Sequence, residues 1–125
     1  MEGEAMSNSY AVGQSDVRPW GNWTVLDAGP GYVVKRIRVT PGGILSLQRH
    51  RHRAEEWTVV GGVARVTLGQ RQFDLSAGQS AHIDTGAVHR IANRGMEDVV
   101  FIEVQTGPIL SEDDIERLED SYGRS

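Results

Sequence analysis

The residues Gln48-Arg49-His50-Arg51-His52-Arg53-Ala54-Glu55-Glu56-Trp57 concentrate amide, imidazole, guanidinium and carboxylate groups in one short run. If the run opens as a strand, alternate side chains share a face, so Gln48, His50 and His52 point one way and Arg49 and Arg51 the other. Two or three nitrogen or oxygen donors can then converge on one ion. A hairpin-like return would bring the Glu55 carboxylate beside His50. His89, in Gly86-Ala87-Val88-His89-Arg90, could supply a fourth ligand from a distant strand. The chain has no cysteine, which excludes disulfides, thiolate metal sites and cysteine nucleophiles. A metal here must use His, carboxylate or amide ligands, a set that suits Zn²⁺, Mn²⁺, Fe²⁺, Co²⁺ or Ni²⁺. The same segment also fits surface histidines in a basic stretch, and an HxH by itself does not choose between the two.

Ligands so far apart in sequence need a rigid scaffold to meet. From Arg18 to Gly107, Gly or Pro recurs every several residues, and the runs between are short and rich in Val, Ile and Thr. That pattern predicts an all-β sandwich or barrel. Strands are expected near 23–27, 32–40, 44–51, 55–60, 63–68, 72–75, 80–83, 88–93 and 98–105. After Gly107 the character changes. Ser111-Glu112-Asp113-Asp114 has the form of a capping box, and Ile115, Leu118 and Tyr122 fall at helical spacing, which predicts a short C-terminal helix packed on the barrel. The acids Glu112, Asp113, Asp114, Glu116, Glu119 and Asp120 read as its solvated face and dipole partners.

The chain's 125 residues suffice for a single hydrophobic core, assigned to 18–125, with the polar, aperiodic residues 1–17 as a flexible arm. Seventeen acids against 13 bases give a formal charge of −4 and leave no basic stripe for a phosphate backbone, so nucleic acid is not an expected partner. No apolar run approaches the roughly 20 residues of a membrane span. Met1–Tyr10 has neither the basic start nor the apolar centre of a signal peptide, so no membrane association and a cytoplasmic location are expected.

Two spaced motifs carry a family resemblance. Gly42, five residues, Gln48-x-His50, four residues, Glu55, six residues and Gly62 resembles the first cupin motif, with Gln48 where that motif usually has a His. Gly78, five residues, Asp84-x-Gly86, two residues, His89, three residues and Asn93 resembles the second. The segments Arg18-Pro19-Trp20-Gly21, Val34-Lys35-Arg36-Ile37, Leu45-Ser46-Leu47-Gln48, His52-Arg53-Ala54-Glu55, Ile102 through Gly107 and Glu119-Asp120-x-Tyr122-Gly123-Arg124 narrow it further. They resemble the C-terminal mannose-6-phosphate isomerase domain of the type II bifunctional mannose-6-phosphate isomerase/mannose-1-phosphate guanylyltransferases. The likeness covers about residues 18–124. The nucleotidyltransferase half of that family is not in this sequence, so guanylyltransferase activity is not carried over.

The resemblance implies an all-β cupin, a double-stranded β-helix or jelly-roll barrel. It also implies a divalent metal (Zn, Mn, Co or Fe) held by Gln48, His50, Glu55 and His89. The expected reaction is aldose–ketose isomerisation of mannose-6-phosphate and fructose-6-phosphate through an enediolate, in polysaccharide and nucleotide-sugar metabolism. His52, on the face of Gln48 and His50, is the candidate base, with a fourth nitrogen ligand or a packed core His as its alternatives. Lys35, Arg90, Arg117 and Arg124 are the candidates for holding the sugar phosphate. Each has a structural alternative: for Lys35 a salt bridge to an inward acid such as Glu103, for Arg90 a structural pair, for Arg117 and Arg124 a solvated surface. Trp20, Trp23 and Trp57 are expected in the core or at a dimer interface rather than on a sugar. Two departures stand out: Glu56 replaces the His of the family's Ala-Glu-His-Trp, where alternation favours a surface position, and Asp84 replaces a Pro. The competing functions are a noncatalytic sugar-phosphate-binding cupin partnering a separate nucleotidyltransferase, and an oxygen-using cupin, against which the branch-specific segments argue. Unless a second sheet or the N-terminal strand covers them, Leu45 and Leu47, opposite the ligand face, would expose an apolar stripe, from which a homodimer is expected.

Overall fold

Alternation along the strands sets the architecture: in Tyr32–Val39, Val33, Lys35, Ile37 and Val39 are buried, while Arg36 between them is exposed. The computed structural model describes residues 6–124. Thirteen strands follow in order: β1 (Ser7–Asn8), β2 (Ser15–Arg18), β3 (Gly21–Gly29), β4 (Tyr32–Val39), β5 (Leu47–Arg49), β6 (Ala54–Gly61), β7 (Ala64–Leu68), β8 (Arg71–Leu75), β9 (Ser80–Ile83), β10 (His89–Ala92), β11 (Val99–Thr106), β12 (Ile109–Leu110) and β13 (Glu116–Glu119). A six-stranded sheet runs β2-β3-β4-β11-β6-β9, and a five-stranded sheet runs β13-β5-β10-β7-β8. The two face each other as a cupin jelly roll. Their inner faces supply a core that includes Trp23, Val33, Val59, Val66, Ile91 and Phe101, each full burial contributing on the order of 1.5–3 kcal/mol. All three tryptophans are buried, as expected.

Register places the polar rows. Across the large sheet Lys35 pairs with Glu103, and Glu103 with Trp57; one step on, Gln105 pairs with Glu55, and Glu55 with Ile83. In the smaller sheet His89 is the partner of Gln48. The inward-facing acids of one sheet therefore meet the histidines of the other.

Three expectations are corrected. The short C-terminal helix is absent: the described residues contain no helix, and Glu116–Glu119 forms β13 against β5. Its acids have other work, because Glu112 pairs with Lys35, Glu116 with Arg49, Glu119 with Arg90 and Asp120 with Arg124, while Asp114 caps two backbone N–H groups. These tertiary contacts outweigh a local capping signal of a few turns. The flexible arm is likewise replaced, from residue 7 on, by structure: β1 pairs with β12, β2 with β3, and Tyr10 is buried against Trp23. Residues 1–5 of that expectation lie outside the described residues. Finally, Leu45 is buried and joins the core rather than an exposed stripe, since β5 begins only at Leu47 and the alternation does not extend back to it. The homodimer expectation loses that support.

Candidate metal centre and its pocket

His50 follows the last residue of β5, His89 opens β10 and Glu55 is the second residue of β6. All three are buried, and one ligand atom from each lies within 4.8 Å of the others. His50 Nε2 is 3.2 Å from His89 Nε2 and 3.3 Å from Glu55 Oε2; His89 Nε2 is 3.9 Å from Glu55 Oε1.

The protons decide what such a cluster can hold. His50 Nδ1 lies 2.7 Å from the Asp114 carbonyl, and His89 Nδ1 lies 2.9 Å from the Ala87 carbonyl. A carbonyl only accepts, so each Nδ1 carries the ring proton and donates it. The two Nε2 atoms then face each other and the Glu55 carboxylate. Burial also pushes the His50 pKa down to about 4, keeping the ring neutral near pH 7. Two imidazole Nε2 atoms and a carboxylate converging in one buried cluster fit a divalent cation, and the carbonyl partners fix the rings as outer partners of metal ligands do. Glu55 is held charged: burial opposes ionisation, but Arg53 keeps its pKa below the usual carboxylate range.

Gln48 reaches the same cavity wall, and its side-chain oxygen accepts the Ser46 hydroxyl at 2.8 Å. The cavity measures about 60 Å³ and is also lined by Arg18, Trp23, Lys35, Arg53, Glu103 and Arg124, among others.

A protein-family model described as "Mannose-6-phosphate isomerase C-terminal" matches residues 5–120. This chain belongs to that family. The family domain is 53% identical over 108 residues to the alginate biosynthesis protein AlgA of Pseudomonas aeruginosa, covering 86% of this chain and 22% of AlgA. It is 46% identical over 129 residues to the xanthan biosynthesis protein XanB of Xanthomonas campestris pv. campestris, covering 98% of this chain and 28% of XanB. The chain therefore spans about a quarter of the length of these curated relatives. Among solved structures, an uncharacterized conserved protein with a double-stranded β-helix domain from Klebsiella pneumoniae superposes with a TM-score of 0.68 at 26% identity, over 78% of each chain.

Within this mannose-6-phosphate isomerase C-terminal domain, the remaining expected site residues separate. His52 is exposed and outside the cavity. The chain bends at Arg51–His52, where the Asp114 carboxylate accepts both backbone N–H groups at 2.8 and 2.9 Å, so the strand alternation ends at His50. The turn then directs Arg53, not His52, inward. Gly107 permits this: a Cβ there would stand 2.0 Å from the His52 carbonyl oxygen, so only glycine lets the end of β11 cross the bend. Arg90 also leaves the site. Lying next to His89 on a strand, it points to the opposite face, where its guanidinium donates to the Leu45 carbonyl and to Glu119. Lys35 is buried but already paired, its Nζ 2.6 Å from Glu112 Oε2, so the expected ion pair exists with Glu112 in place of Glu103. Arg117 and Arg124 do line the cavity. Glu56 lies outside it on the exposed face, with His82 between its carboxylate (2.5 Å) and that of Asp84 (2.9 Å).

Three participants were not read from the sequence. Arg53 Nε donates to Glu55 Oε2 at 2.9 Å, Nη2 lies 3.4 Å from His50 Nε2, and Nη1 donates to the Ser111 carbonyl at 3.1 Å. Burial disfavours its charge, but Glu55 and Glu103 hold its pKa above the usual value. Glu103 has its pKa pushed up to about 8 by burial and by the Glu55 charge. The Trp57 indole N–H is shared between Glu55 (3.0 Å) and Glu103 (3.1 Å), tying the two acids together. The available signal was strand alternation: Glu103 falls in step with Val99, Phe101 and Gln105, which all face inward.

Proposed function

We propose that this domain interconverts mannose-6-phosphate and fructose-6-phosphate, using a divalent cation (Zn²⁺, Mn²⁺, Co²⁺ or Fe²⁺) held by His50, Glu55 and His89, with Gln48 as a further ligand. The observation that carries the reading is the convergence of the buried Glu55 carboxylate with two buried imidazoles whose Nδ1 protons are committed to backbone carbonyls. Aldose–ketose isomerisation takes a proton from C2, passes through an enediolate and returns a proton at C1. A bound cation would supply a Lewis acid for the developing negative oxygen. The chain's own residues do the rest. Glu103 lines the cavity, lies outside the ligand set, and its oxygens accept from Trp57 and Gln105 rather than from a cation. In this reading its carboxyl carries the proton between C2 and C1, the role expected of His52. Arg53 orients Glu55 and presents positive charge to the sugar oxygens. Arg117 and Arg124 add positive charge at the cavity wall, Arg124 while paired with Asp120. The roles named for AlgA and XanB in alginate and xanthan biosynthesis support a place in polysaccharide and nucleotide-sugar metabolism, with a cytoplasmic location. No helix among the described residues is long and apolar enough to cross a membrane.

The test is a coupled isomerase assay on metal-stripped protein with each cation added back. Turnover should appear with one metal and vanish in His50→Ala; Glu103→Gln should bind that metal normally and lose at least about a hundredfold in kcat, the usual scale of a lost acid–base group. The small cavity favours a second reading, a noncatalytic sugar-phosphate-binding cupin. Metal binding with no turnover in any preparation would select it.

A further inference from the structure

The cavity beside the metal ligands is crowded with cations. Arg18, Lys35, Arg53, Arg117 and Arg124 all line it, against the carboxyls of Glu55, Glu103 and Glu112. Arg53 is committed to Glu55. Of the others, Lys35 and Arg18 both reach Glu112: Lys35 Nζ lies 2.6 Å from Oε2 and Arg18 Nη2 lies 3.2 Å from Oε1. The Tyr10 hydroxyl donates to the same carboxylate, and Lys35 Nζ sits over the Tyr10 and Trp23 rings at 4.4 and 4.2 Å. The Trp23 indole N–H is buried with no hydrogen-bond partner. Arg18 Nη1 also pairs with Asp16 at 2.8 Å, and Arg124 Nε with Asp120 at 2.9 Å, so Glu112 is the carboxylate that Arg18 and Lys35 share inside the cavity. An ammonium, a guanidinium and a phenol converging on one anion form a donor set suited to a phosphate monoester.

We propose that Glu112 is an internal stand-in for a phosphoryl group. Its carboxylate occupies the anion position made by Arg18, Lys35 and Tyr10, and a sugar phosphate enters by displacing it. The identity of the sugar rests on the isomerase reading; the anion position does not. Two observations support displacement. The cavity, at about 60 Å³, is far smaller than the roughly 300–1,000 Å³ of small-molecule pockets, so something must move for a hexose phosphate to enter. Backbone movement is resisted on both sides of Glu112, because Arg53 holds the Ser111 carbonyl and His50 holds the Asp114 carbonyl. The Glu112 side chain, about one-third exposed, is free to rotate outward between those fixed points. A phosphate monoester carries a charge of about −1.5 to −2 near neutral pH, with three terminal oxygens, and so outcompetes a single carboxylate for the same donors. The N-terminal segment thereby becomes part of the binding site, through Tyr10 and Arg18.

The experiment is calorimetric titration of metal-loaded full-length protein with inorganic phosphate. Glu112→Gln removes the competing charge while keeping the shape, and should tighten phosphate binding about tenfold, the scale of one charge-assisted hydrogen bond. Arg18→Gln should weaken it at least about fivefold. Unchanged or weaker binding in a folded Glu112→Gln protein overturns the proposal, as does absence of phosphate binding in both wild type and variant. Should Glu112→Gln fail to fold, the thermal shift given by phosphate decides: its loss in Arg18→Gln supports the proposal, and its retention overturns it. Isomerase turnover is scored separately. Phosphate binding that responds to Glu112 without turnover leaves the anion position standing and removes the isomerase reading; turnover without that response does the reverse.

Discussion

Two imidazoles face each other at 3.2 Å between their Nε2 atoms, and the Asp114 and Ala87 carbonyls hold both Nδ1–H groups. With the Glu55 carboxylate beside them, they form a donor set that a divalent cation fits. Trp57 performs a comparable service for the acids: its single N–H is shared by Glu55 and Glu103, holding a would-be ligand and a would-be proton carrier in fixed relation. Replacing Trp57 by Phe should keep most of the buried ring packing yet release Glu55, lowering metal affinity about tenfold, the lower end for loss of an outer partner of a ligand. Metal titration with a competing chelator would read this; unchanged affinity would assign Trp57 to packing alone.

Elements differ in how much of their conformation is local. In β4 and β11 the alternation of burial is regular, and the expected strands 32–40 and 98–105 match Tyr32–Val39 and Val99–Thr106 closely. At Ser111–Glu119 the local pattern favours a helix, but Asp114, Glu112, Glu116 and Glu119 each find a distant partner, and the segment closes the smaller sheet as an edge strand. The N-terminal segment behaves similarly. Tyr10 packs edge-on to Trp23 at 6.1 Å between ring centroids and covers Lys35. Tyr10→Ala should therefore destabilise the protein by about 3 kcal/mol, the scale of a large aromatic truncated in a core. Urea denaturation would measure it, and a change near zero would return this segment to the status of a loose arm.

The whole molecule places its candidate centre between its two sheets, with His50 and His89 from the five-stranded sheet and Glu55 from the six-stranded one. A cation bound there joins the sheets and is lost on unfolding. Metal at a hundredfold excess over its dissociation constant should then stabilise the fold by about 2.7 kcal/mol. Thermal melts with and without a chelator would show the difference in wild type, and His89→Ala should abolish it. The six-stranded sheet also carries the outward row of Glu56 and His82, so the family departure at Glu56 falls on solvent and leaves the cavity unaltered.

Spacing in the sequence pointed to the all-β class and the outward direction of Glu56, because strand alternation is a local property with a period of two, while the resemblance to two cupin motifs joined Gln48, His50 and Glu55 with His89. Tertiary structure decided what lies where that period breaks. His52 is turned out and Arg53 in by a bend that Asp114 caps from beyond residue 110, and that Gly107 makes room for. Arg90 and Lys35 are claimed by Glu119 and Glu112, acids on a segment whose own sequence favours a helix. Electrostatic pairing across the barrel is set by which strands become neighbours. That is a property of the packed sheets, and no short window of the chain contains it.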